Sequence, residues 1–431
     1  MTRVHFMGIG GSGVSALARV FLARQDEVSG CDLKESDTTR LLERDGASIQ
    51  IGHSPKHVEG QELLVFSGAI RSGSEELESA RQAGLRVLTR AELLAELIAG
   101  SESIAVAGTH GKTTVTLMTG DVLQAGGFDP TVLVADGANA RAGRSRWLVA
   151  EADESDGSLS MHRPRNAVVT NVELDHPDHF ASLEEVSILF REFVAALPEG
   201  GLAVLCADDD HLRTMSTPAR RVTYGFAEDA DYRCAGASGH FGVYLKGEHL
   251  GELELAVPGR HNIQNATAAV ALGVELGIPF PIVEAALAEF KGAHRRLERV
   301  GRWHGAEVYD DYGHHPTEVR ATIAAARELP GRRLILVFQP HRYTRLGALM
   351  DGFASSFEGA DRLILAEVYP AGEANPGNLS AEQLAERVPR AEFCPDFECI
   401  RGRLEEIVGE GDLLLFMGAG DIGRLARELA E

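Results

Sequence analysis

The sequence has few features that would take the protein to a membrane or to nucleic acid. Among its 431 residues, no apolar run approaches the roughly 18–20 residues of a membrane-spanning helix. Its 42 basic residues face 64 acidic ones, and the net charge of −22 disfavours partners that require a basic face. The opening "MTRVHFMGIGGSG" has too short an apolar stretch for a secretion signal. We expect a cytoplasmic protein with no nucleic-acid or membrane partner, whose pockets could still hold a small anion.

Cysteine is also scarce. The five residues, Cys31, Cys206, Cys234, Cys394 and Cys399, are scattered and form no CxxC pattern. A CxxC spacing is the usual sign of a metal or redox site, so we interpret these cysteines as ordinary thiols in a reducing compartment.

Apolar strands alternate with helical segments along most of the chain, which is long enough for about three domains. "RVHFMGIG" and "DEVSGCD" flank an apolar helix, "SIAVAGTHGKTT" opens a second unit, and "RRLILVFQP" and "GDLLLFMGAG" belong to a third. Residues 222–257 alternate around Lys246-Gly247 and indicate antiparallel hairpins, and "KGAHRRLERVG" is interpreted as a charged link. The pattern predicts three α/β domains with mostly parallel sheets.

Residues 107–114, "AGTHGKTT", lie between a predicted strand and a predicted helix. The phosphate-loop pattern is G-x-x-x-x-G-K-[ST], in which backbone N–H groups surround the phosphates, lysine reaches the β/γ oxygens and the hydroxyl binds Mg²⁺. Gly111, Lys112 and Thr113 fit, but Val106 stands where the first glycine belongs, with Gly108 two residues later. The motif alone leaves a nucleotide site and a simple glycine turn equally open.

A second glycine loop, Gly8-Ile9-Gly10-Gly11-Ser12-Gly13, also joins a strand to a helix, and Asp32 ends the next strand. This arrangement is typical of a site that binds a diphosphate at a helix N-terminus and a ribose at the carboxylate. It specifies a diphosphate and a ribose but no nicotinamide, so a nucleotide-sugar fits as well as a dinucleotide. Glycines that serve only close packing are the structural alternative.

Acidic and histidine residues follow two strands that lead to the edge of the phosphate loop. "EADESDGS" begins at Glu151, directly after "RWLVA", and "TNVELDHPDHF" places His176 after another strand. Carboxyl ends of parallel strands meet at one edge, so the hydroxyl of Thr113, a carboxylate and an imidazole would converge there. This favours a Mg²⁺ site over a solvated acidic loop.

Amides and cations recur near other element ends. Asn262 and Asn265 in "PGRHNIQNA" lie near a helix start, where one could cap the helix and the other could contact an adenine. The segments "DDYGHHPTE" and "QPHRYTR" follow strands of the third unit. Their cations suit an anionic substrate and a charged transition state.

In order along the chain, GIGGSGVS, AGTHGKTT, EADESD, TNVELDH, PGRHNIQNA, HRRLE, DDYGHHPTE and QPHRYTR resemble the motifs of the Mur ligases. The resemblance covers essentially the whole chain. It implies three domains: a Rossmann-like domain for a UDP-sugar over residues 1–98, a P-loop ATPase over 99–293, and a Rossmann-like ligase domain over 294–431. DDYGHHPTE and QPHRYTR are most similar to the branch that joins L-alanine to UDP-N-acetylmuramate with ATP and Mg²⁺ in peptidoglycan precursor synthesis. A homodimer is compatible with it.

The resemblance also implies roles for individual residues. ATP would contact Gly108, Thr109, His110, Gly111, Lys112, Thr113, Thr114, Asn262 or Asn265, and Asp311. Mg²⁺ would be held by Thr113, Glu151 and His176. Catalysis would involve Lys112, His176, Arg296, His314, His341, Arg342 and Arg345. The UDP-sugar would contact Gly10, Gly11, Ser12, Ser15, Asp32 and Ser67.

The sequence departs from the family pattern at several positions. Pro177 follows the metal histidine, Leu346 stands where threonine is common, and residues 373–379 form an atypical loop. Several relatives hold a second Mg²⁺ with a carbamylated lysine some tens of residues after that histidine, but residues 176–241 contain no lysine. The first three departures affect local geometry and remove no charged catalytic group, whereas the missing lysine removes a ligand that relatives use for a second Mg²⁺.

Three alternative functions remain at this point. A ligase that adds a preformed tripeptide to the same sugar would share the motifs. A nicotinamide-dependent dehydrogenase would use Gly8–Gly13 but leaves Lys112, Glu151 and His176 unexplained. An inactive nucleotide sensor leaves the C-terminal cations unexplained.

Overall fold

The computed structural model describes residues 1–71, 73–135, 139–155 and 157–430, and three β-sheets organise this part of the chain. Asp156 of the predicted acidic segment lies outside the described residues. Within them, no helix combines the length and the apolar character needed to cross a bilayer.

The first sheet is a five-stranded parallel sheet of order β3-β2-β1-β4-β5. Because side chains alternate along a strand, Val4 and Phe6 pack on one face while Met7 packs on the other. Its elements are β1 (Arg3–Met7), α1 (Ser12–Ala23), β2 (Glu27–Asp32), α2 (Asp37–Arg44), β3 (Ser48–Ile51), a 3₁₀ helix (Pro55–Val58), β4 (Leu63–Phe66), α3 (Glu75–Gln82), β5 (Arg86–Thr89) and α4 (Arg90–Ala99).

The second sheet has nine strands in the order β14-β13-β12-β11-β10-β9-β6-β8-β7. Its elements are β6 (Glu102–Ala107), α5 (Lys112–Ala125), β7 (Thr131–Leu133), β8 (Trp147–Glu151), a 3₁₀ helix (Ser158–Met161), β9 (Asn166–Val169), α6 (Leu183–Ala195), β10 (Leu202–Cys206), α7 (Asp210–Arg213), β11 (Arg220–Gly225), β12 (Tyr232–Ala237), β13 (His240–Leu245), β14 (Glu248–Glu254), α8 (Arg260–Glu275) and α9 (Phe280–Ala288). β6 lies between β8 and β9, so the phosphate loop leaves the sheet beside both predicted metal segments.

The hairpin prediction for residues 222–257 is only partly correct. β13 pairs antiparallel with β12 and β14 around Lys246-Gly247, but β11 is parallel to both β10 and β12. Alternation of apolar residues reports a half-buried strand and says nothing about the direction of its neighbour.

The third sheet has the order β15-β16-β20-β17-β18-β19, parallel except for the edge strand β15. Its elements are β15 (Glu298–Trp303), β16 (Ala306–Asp311), α10 (Pro316–Ala326), β17 (Leu334–Phe338), α11 (Tyr343–Ala348), α12 (Met350–Ala354), β18 (Arg362–Ala366), α13 (Ala381–Ala385), β19 (Ala391–Cys394), α14 (Phe397–Ile407), β20 (Leu413–Met417) and α15 (Ile422–Ala430). The end of the predicted charged link is therefore the start of β15. The domain boundaries after residues 98 and 293 stay predictions.

Candidate functional site

The phosphate loop has a backbone that requires glycine at two positions. Gly108 has φ +129°, and a Cβ there would lie 2.0 Å from Thr170 Oγ1. Gly111 has φ +84° and a Cβ would lie 2.8 Å from Asn265 Oδ1. The loop therefore passes tightly over the ends of β9 and α8 before α5 begins at Lys112. A helix N-terminus after such a loop suits phosphate binding.

Lys112 points back across this loop. Its Nζ donates to the carbonyls of Gly108 and Thr109, at 2.7 and 3.1 Å, and to Glu154 Oε2 at 2.8 Å. Burial would lower the pKa of the ammonium, but Glu154 and then Asp153 raise it overall. The cation is thus held at the loop in its charged form.

Of the three residues predicted to hold a metal, Thr113 and Glu151 contact each other, while His176 lies in a close group with Asp153 and Glu154. Thr113 Oγ1 lies 3.0 and 3.1 Å from the two carboxylate oxygens of Glu151. Ligand atoms of Asp153, Glu154 and His176 all lie within 4.8 Å of one another. The buried Oε1 of Glu154 has no hydrogen-bond partner among the described residues. This oxygen-rich set, with one imidazole and an unpartnered carboxylate oxygen, fits a hard divalent cation such as Mg²⁺.

Charges in this cluster are strongly perturbed. Burial raises the pKa of Glu154 to about 7 against the effect of Lys112, and burial also raises the pKa of Glu151. For Asp153 the opposing effect of Lys112 outweighs burial, so its pKa is lowered. Burial lowers the pKa of His176, which leaves the imidazole neutral and able to bind a cation.

The four cationic or imidazole side chains predicted from the third unit lie across the groove from the phosphate loop. Arg345 is 2% exposed, and its Nε donates to Asp175 Oδ1 at 2.8 Å while Nη1 donates to His341 Nδ1 at 3.2 Å. His314 Nε2 lies 3.7 Å from Asp175 Oδ2. Arg342, with φ +67°, is the N-cap residue directly before α11 and pairs with Asp178.

His341 is a neutral donor in this arrangement. Burial, reinforced by the charges of His314 and Arg345, lowers the pKa of His341 to about 3. Because Nδ1 accepts from Arg345, the ring proton belongs on Nε2. The ring can therefore donate a hydrogen bond to an anion in the groove.

A cavity of about 280 Å³ lies between the second and third sheets. It is lined by His110, Gly111, Thr114, Asn262, Asn265, Arg296 and Asp311, among others. Burial raises the pKa of Asp311 to about 6, and its oxygens accept from the backbone of Leu297 and Gly313. The cavity combines amides, a carboxylate and a cation beside the phosphate loop, as a nucleotide pocket would.

The helix-cap alternative for the asparagines is wrong. α8 begins after Gly259, which makes no side-chain cap. Asn262 donates from Nδ2 to the Pro258 carbonyl at 2.7 Å, and Asn265 lies one turn further along the helix. Gly259 can begin the helix because its φ of +102° is open to glycine.

Sequence inspection missed Glu318, which joins the two sides of the cavity. Its carboxylate accepts from the backbone of His314 at 2.9 Å and lies 3.4 Å from His110 Nδ1 and 3.5 Å from Arg296 Nη1. The sequence did contain a signal for Glu318. It is the third residue of α10 and lies three positions after the cap His315, which is the spacing of a capping box. Glu173 and Asp175 were missed in the same way, although both lie inside a quoted motif.

In the first glycine loop, Asp32 contacts the backbone, and its role toward a ribose stays a prediction. Asp32 Oδ2 accepts from the Gly10 N–H at 2.9 Å, and Ser67 packs across from Gly8. Ser15 is fully buried and donates to the Ser12 carbonyl at 2.9 Å. Ser15 is therefore not accessible to a ligand here, and the exposed members of the loop are Gly11 and Ser12.

All three sheets contribute to a second cavity of about 500 Å³. Its lining includes Ser12 from the first glycine loop, the phosphate-loop residues Thr109, Lys112 and Thr113, the acidic residues Glu151 and Asp153, His176, and the C-terminal residues Arg296, His314, His341, Arg342 and Arg345. The predicted catalytic residues, 112 to 345 along the chain, thus face one space.

Three family models match the chain in succession. The Mur ligase family catalytic domain matches residues 3–102, the Mur ligase middle domain residues 106–273, and the Mur ligase glutamate ligase domain residues 295–420. Together these matches cover most of the described chain.

Individual relatives extend the likeness over the full length. A UDP-N-acetylmuramate–L-alanine ligase of Geotalea daltonii is 42% identical over 446 residues, covering 100% of this chain and 97% of the relative. One from Aquifex aeolicus is 40% identical and covers 99% and 96%. The crystal structure of a UDP-N-acetylmuramate-alanine ligase of Thermotoga maritima has a TM-score of 0.82 at 29% identity, covering 100% of this chain and 98% of that one.

Proposed function

The chain belongs to the Mur ligase family, and we propose that it joins L-alanine to the lactyl carboxylate of UDP-N-acetylmuramate with ATP as the activating substrate. The observation that carries the proposal is the cavity in which Ser12, Lys112 and Arg342 line the same space, each following a strand of a different sheet. A nucleotide-sugar, a phosphate donor and an amino acid need such a three-sided site. The product class is a peptidoglycan precursor.

The chemistry follows from the inertness of a carboxylate toward an amine. Transfer of the γ-phosphoryl group of ATP to a lactyl oxygen breaks the bond to the β-phosphate and converts that oxygen into a leaving group. The free amine of L-alanine then attacks the acyl carbon, loses a proton, and phosphate departs with the C–O electron pair. The balanced products are the amide, ADP and phosphate.

Positive charge around the γ-phosphoryl group supplies most of the acceleration in such transfers. Lys112 would exchange its contact with Glu154 for contacts with phosphate oxygens. Its ammonium group is already charged and already extends across the loop. Arg296 lines both cavities and would meet the phosphates from the opposite side. The proton on Nε2 of neutral His341, with Arg342 and His314, would bind the anionic groups of the acceptor and of L-alanine.

Thr113, Glu151 and His176, with Asp153 and Glu154 beside them, would hold Mg²⁺. When bound, the ion would neutralise phosphate charge. Arg345 is too enclosed to reach a ligand freely, so we assign it to positioning His341. Around the nucleotide-sugar we assign Gly10, Gly11, Ser12, Asp32 and Ser67, with Ser15 supporting the loop from behind.

The proposal also covers the domain ranges, the class of partners and the location. The domain ranges 1–98, 99–293 and 294–431 are proposed as the sugar, ATP and closing domains. The net charge of −22 supports small-molecule substrates rather than nucleic acid or anionic membranes, and a cytoplasmic location, where such precursors are made. A homodimer is compatible with this function.

The test is substrate-dependent ADP release, with the product identified by mass spectrometry. ADP should form only when UDP-N-acetylmuramate and L-alanine are both present, and Lys112→Ala should abolish it. A preference for L-alanyl-γ-D-glutamyl-meso-diaminopimelate over L-alanine would instead support the tripeptide ligase. NAD reduction without ADP release would support the dehydrogenase, and nucleotide binding without turnover the sensor.

A further inference from the structure

A second cluster of metal-ligating side chains lies inside the first sheet domain, away from the site above. It consists of His5 in β1, Cys31 in β2, His57 in the 3₁₀ helix and Glu76 in α3. One ligand atom from each lies within 4.8 Å of the others. None of the four lines either of the two large cavities. We call these four residues the His5 cluster.

Glu76 is at the centre of this cluster. Its Oε1 lies 3.0 Å from His5 Nε2, 3.0 Å from His57 Nδ1 and 3.4 Å from Cys31 Sγ. A third imidazole, His53, reaches Oε2 at 3.0 Å and Cys31 Sγ at 3.2 Å. Three imidazoles and a thiol thus surround one carboxylate.

The cluster is enclosed on the inner side and open at the rim. The side chains of His5 and Glu76 are 0% exposed, whereas those of His57 and His53 are 15% and 23% exposed. Met7, Val58, Leu64 and Leu77 pack beside Cys31. A small cation can reach the cluster past the two outer histidines and then lie in an apolar shell.

His5 directs its Nε2 atom at the carboxylate of Glu76 in the middle of the cluster. Its Nδ1 lies 2.9 Å from Ser29 Oγ, a partner that can fix the tautomer by accepting the Nδ1 proton, because Ser29 Oγ donates to the Val4 carbonyl at 3.4 Å. The fully buried Nε2 then makes no hydrogen bond within the described residues. It faces a carboxylate oxygen, and two lone pairs at this distance require a cation or a proton between them.

The donor set selects the chemical class of cation. Imidazole, thiolate and carboxylate are the ligands of Zn²⁺, and a second hydrogen bond that orients a ligating histidine, as Ser29 makes to His5, is a regular feature of such sites. A tetrahedral Zn²⁺ with bonds of about 2.0–2.3 Å separates its ligand atoms by roughly 3.3–3.7 Å. Contacts of 3.0 and 3.4 Å to Glu76 would open only slightly to admit it.

We propose that His5, Cys31, His57 and Glu76 bind one structural Zn²⁺ ion, with His53 at the rim as a further donor. Binding exchanges the thiol proton of Cys31 for the metal, and the thiolate and carboxylate together neutralise the ion. The ion ties β1, β2, the 3₁₀ helix and α3 to one point. β1 and β2 carry the glycine loop and Asp32, so the ion stabilises the frame of the nucleotide-sugar site without touching the substrate.

The experiment uses the full chain stripped of metal and titrated with Co²⁺ and with Zn²⁺. Wild-type protein should bind one Co²⁺ with thiolate-to-cobalt charge-transfer absorption and the intense visible bands of tetrahedral geometry. Zn²⁺ should displace it and raise the melting temperature. Cys31→Ser should lose the charge-transfer absorption, and Glu76→Gln should lose the tight Zn²⁺ binding.

Two controls separate this site from others. Cys234 is as buried as Cys31 but lies in β12, so Cys234→Ser should keep the cobalt absorption. His176→Ala should also keep it, because that histidine belongs to the predicted magnesium site. The proposal is overturned if wild-type protein gives no thiolate absorption with Co²⁺, or if a folded Cys31→Ser variant keeps it. If Cys31→Ser fails to fold, tight Zn²⁺ binding that survives Glu76→Gln overturns the proposal.

Discussion

Replacing His110 with glutamine should remove a pH-dependent part of the stability between the second and third sheets. His110 Nε2 lies 3.4 Å from Glu173 and Nδ1 lies 3.4 Å from Glu318 across the cavity. Burial would lower the pKa of this imidazole, but the carboxylates of Glu173 and Glu318 raise it to about 9. A raised pKa means that the folded state binds the proton more tightly than the unfolded state. The stabilisation is therefore complete below about pH 6.5 and is lost as pH rises through 9.

The size of this stabilisation follows from the pKa shift of His110. A change from 6.5 to about 9, at 1.36 kcal/mol per unit, corresponds to about 3 kcal/mol. Glu173 keeps 36% of its side chain exposed, and solvent screening reduces the value toward about 2 kcal/mol. Burial lowers the pKa of the neighbouring His315 to about 4, so that ring stays neutral throughout this window.

The assay is urea unfolding of wild type and His110→Gln from pH 6 to 9.5, followed by tryptophan fluorescence. Trp147 and Trp303, the two tryptophans of the chain, report on the second and third sheets. Because both proteins share every other titrating group, the difference in unfolding free energy isolates His110. It should shrink by about 2–3 kcal/mol between pH 6.5 and 9. A difference that is the same at both pH values, or an equal change in the control His240→Gln on the exposed hairpin, would refute the reasoning.

Three further predictions concern the ligation reaction. Lys112→Ala should reduce turnover by at least about 100-fold, while UDP-sugar binding, measured by calorimetry, stays nearly intact. Equal losses of turnover and of UDP-sugar affinity would contradict the separation of the two glycine loops. Asp32→Ala should raise the KM for the UDP-sugar about tenfold or more and leave the KM for ATP nearly unchanged, because the carboxylate lies at the first loop; similar changes in both would mean that the loop is misassigned. Turnover should not depend on dissolved CO₂, because residues 176–241 contain no lysine to carbamylate and arginine offers no free amine. If bicarbonate restored the activity of CO₂-depleted enzyme at constant pH, a carbamate would have to exist.

The sequence predicted those parts of the site that follow from strand direction. Glu151 and His176 could be placed near Lys112 because parallel strands end at one edge, and Thr113 is hydrogen-bonded to Glu151. The contacts of Glu318 could not be predicted in this way, because His110 lies some two hundred residues away in the chain. Such pairs depend on how two domains pack together. The spacing of apolar residues along the sequence predicts helices and strands but does not predict this packing.

Other failures have similarly local causes. Asparagine is a common helix-cap residue, so Asn262 was a reasonable candidate. The cap of α8 is instead Gly259, whose backbone can adopt a positive φ. All five cysteines are free thiols, as the missing CxxC pattern predicted, but that spacing carries no information on the His5 cluster, whose members come from four elements between residues 5 and 76. A search for close sequence spacing cannot detect a site that the sheet assembles.

The cavity of about 280 Å³ is shared by two domains, since Asn265 lines one wall and Leu297 and Ala321 line another. A molecule that fills it contacts both domains, so its apparent affinity is scaled by the fraction of chains in which the domains are together. By reciprocity, the molecule in turn holds the domains together with the same free energy. An inhibitor of this cavity would act as a clamp. Resistance to it could then arise at Arg345, which does not line this cavity but pairs with Asp175 of the neighbouring domain, because loosening the interface would weaken binding without removing an inhibitor contact.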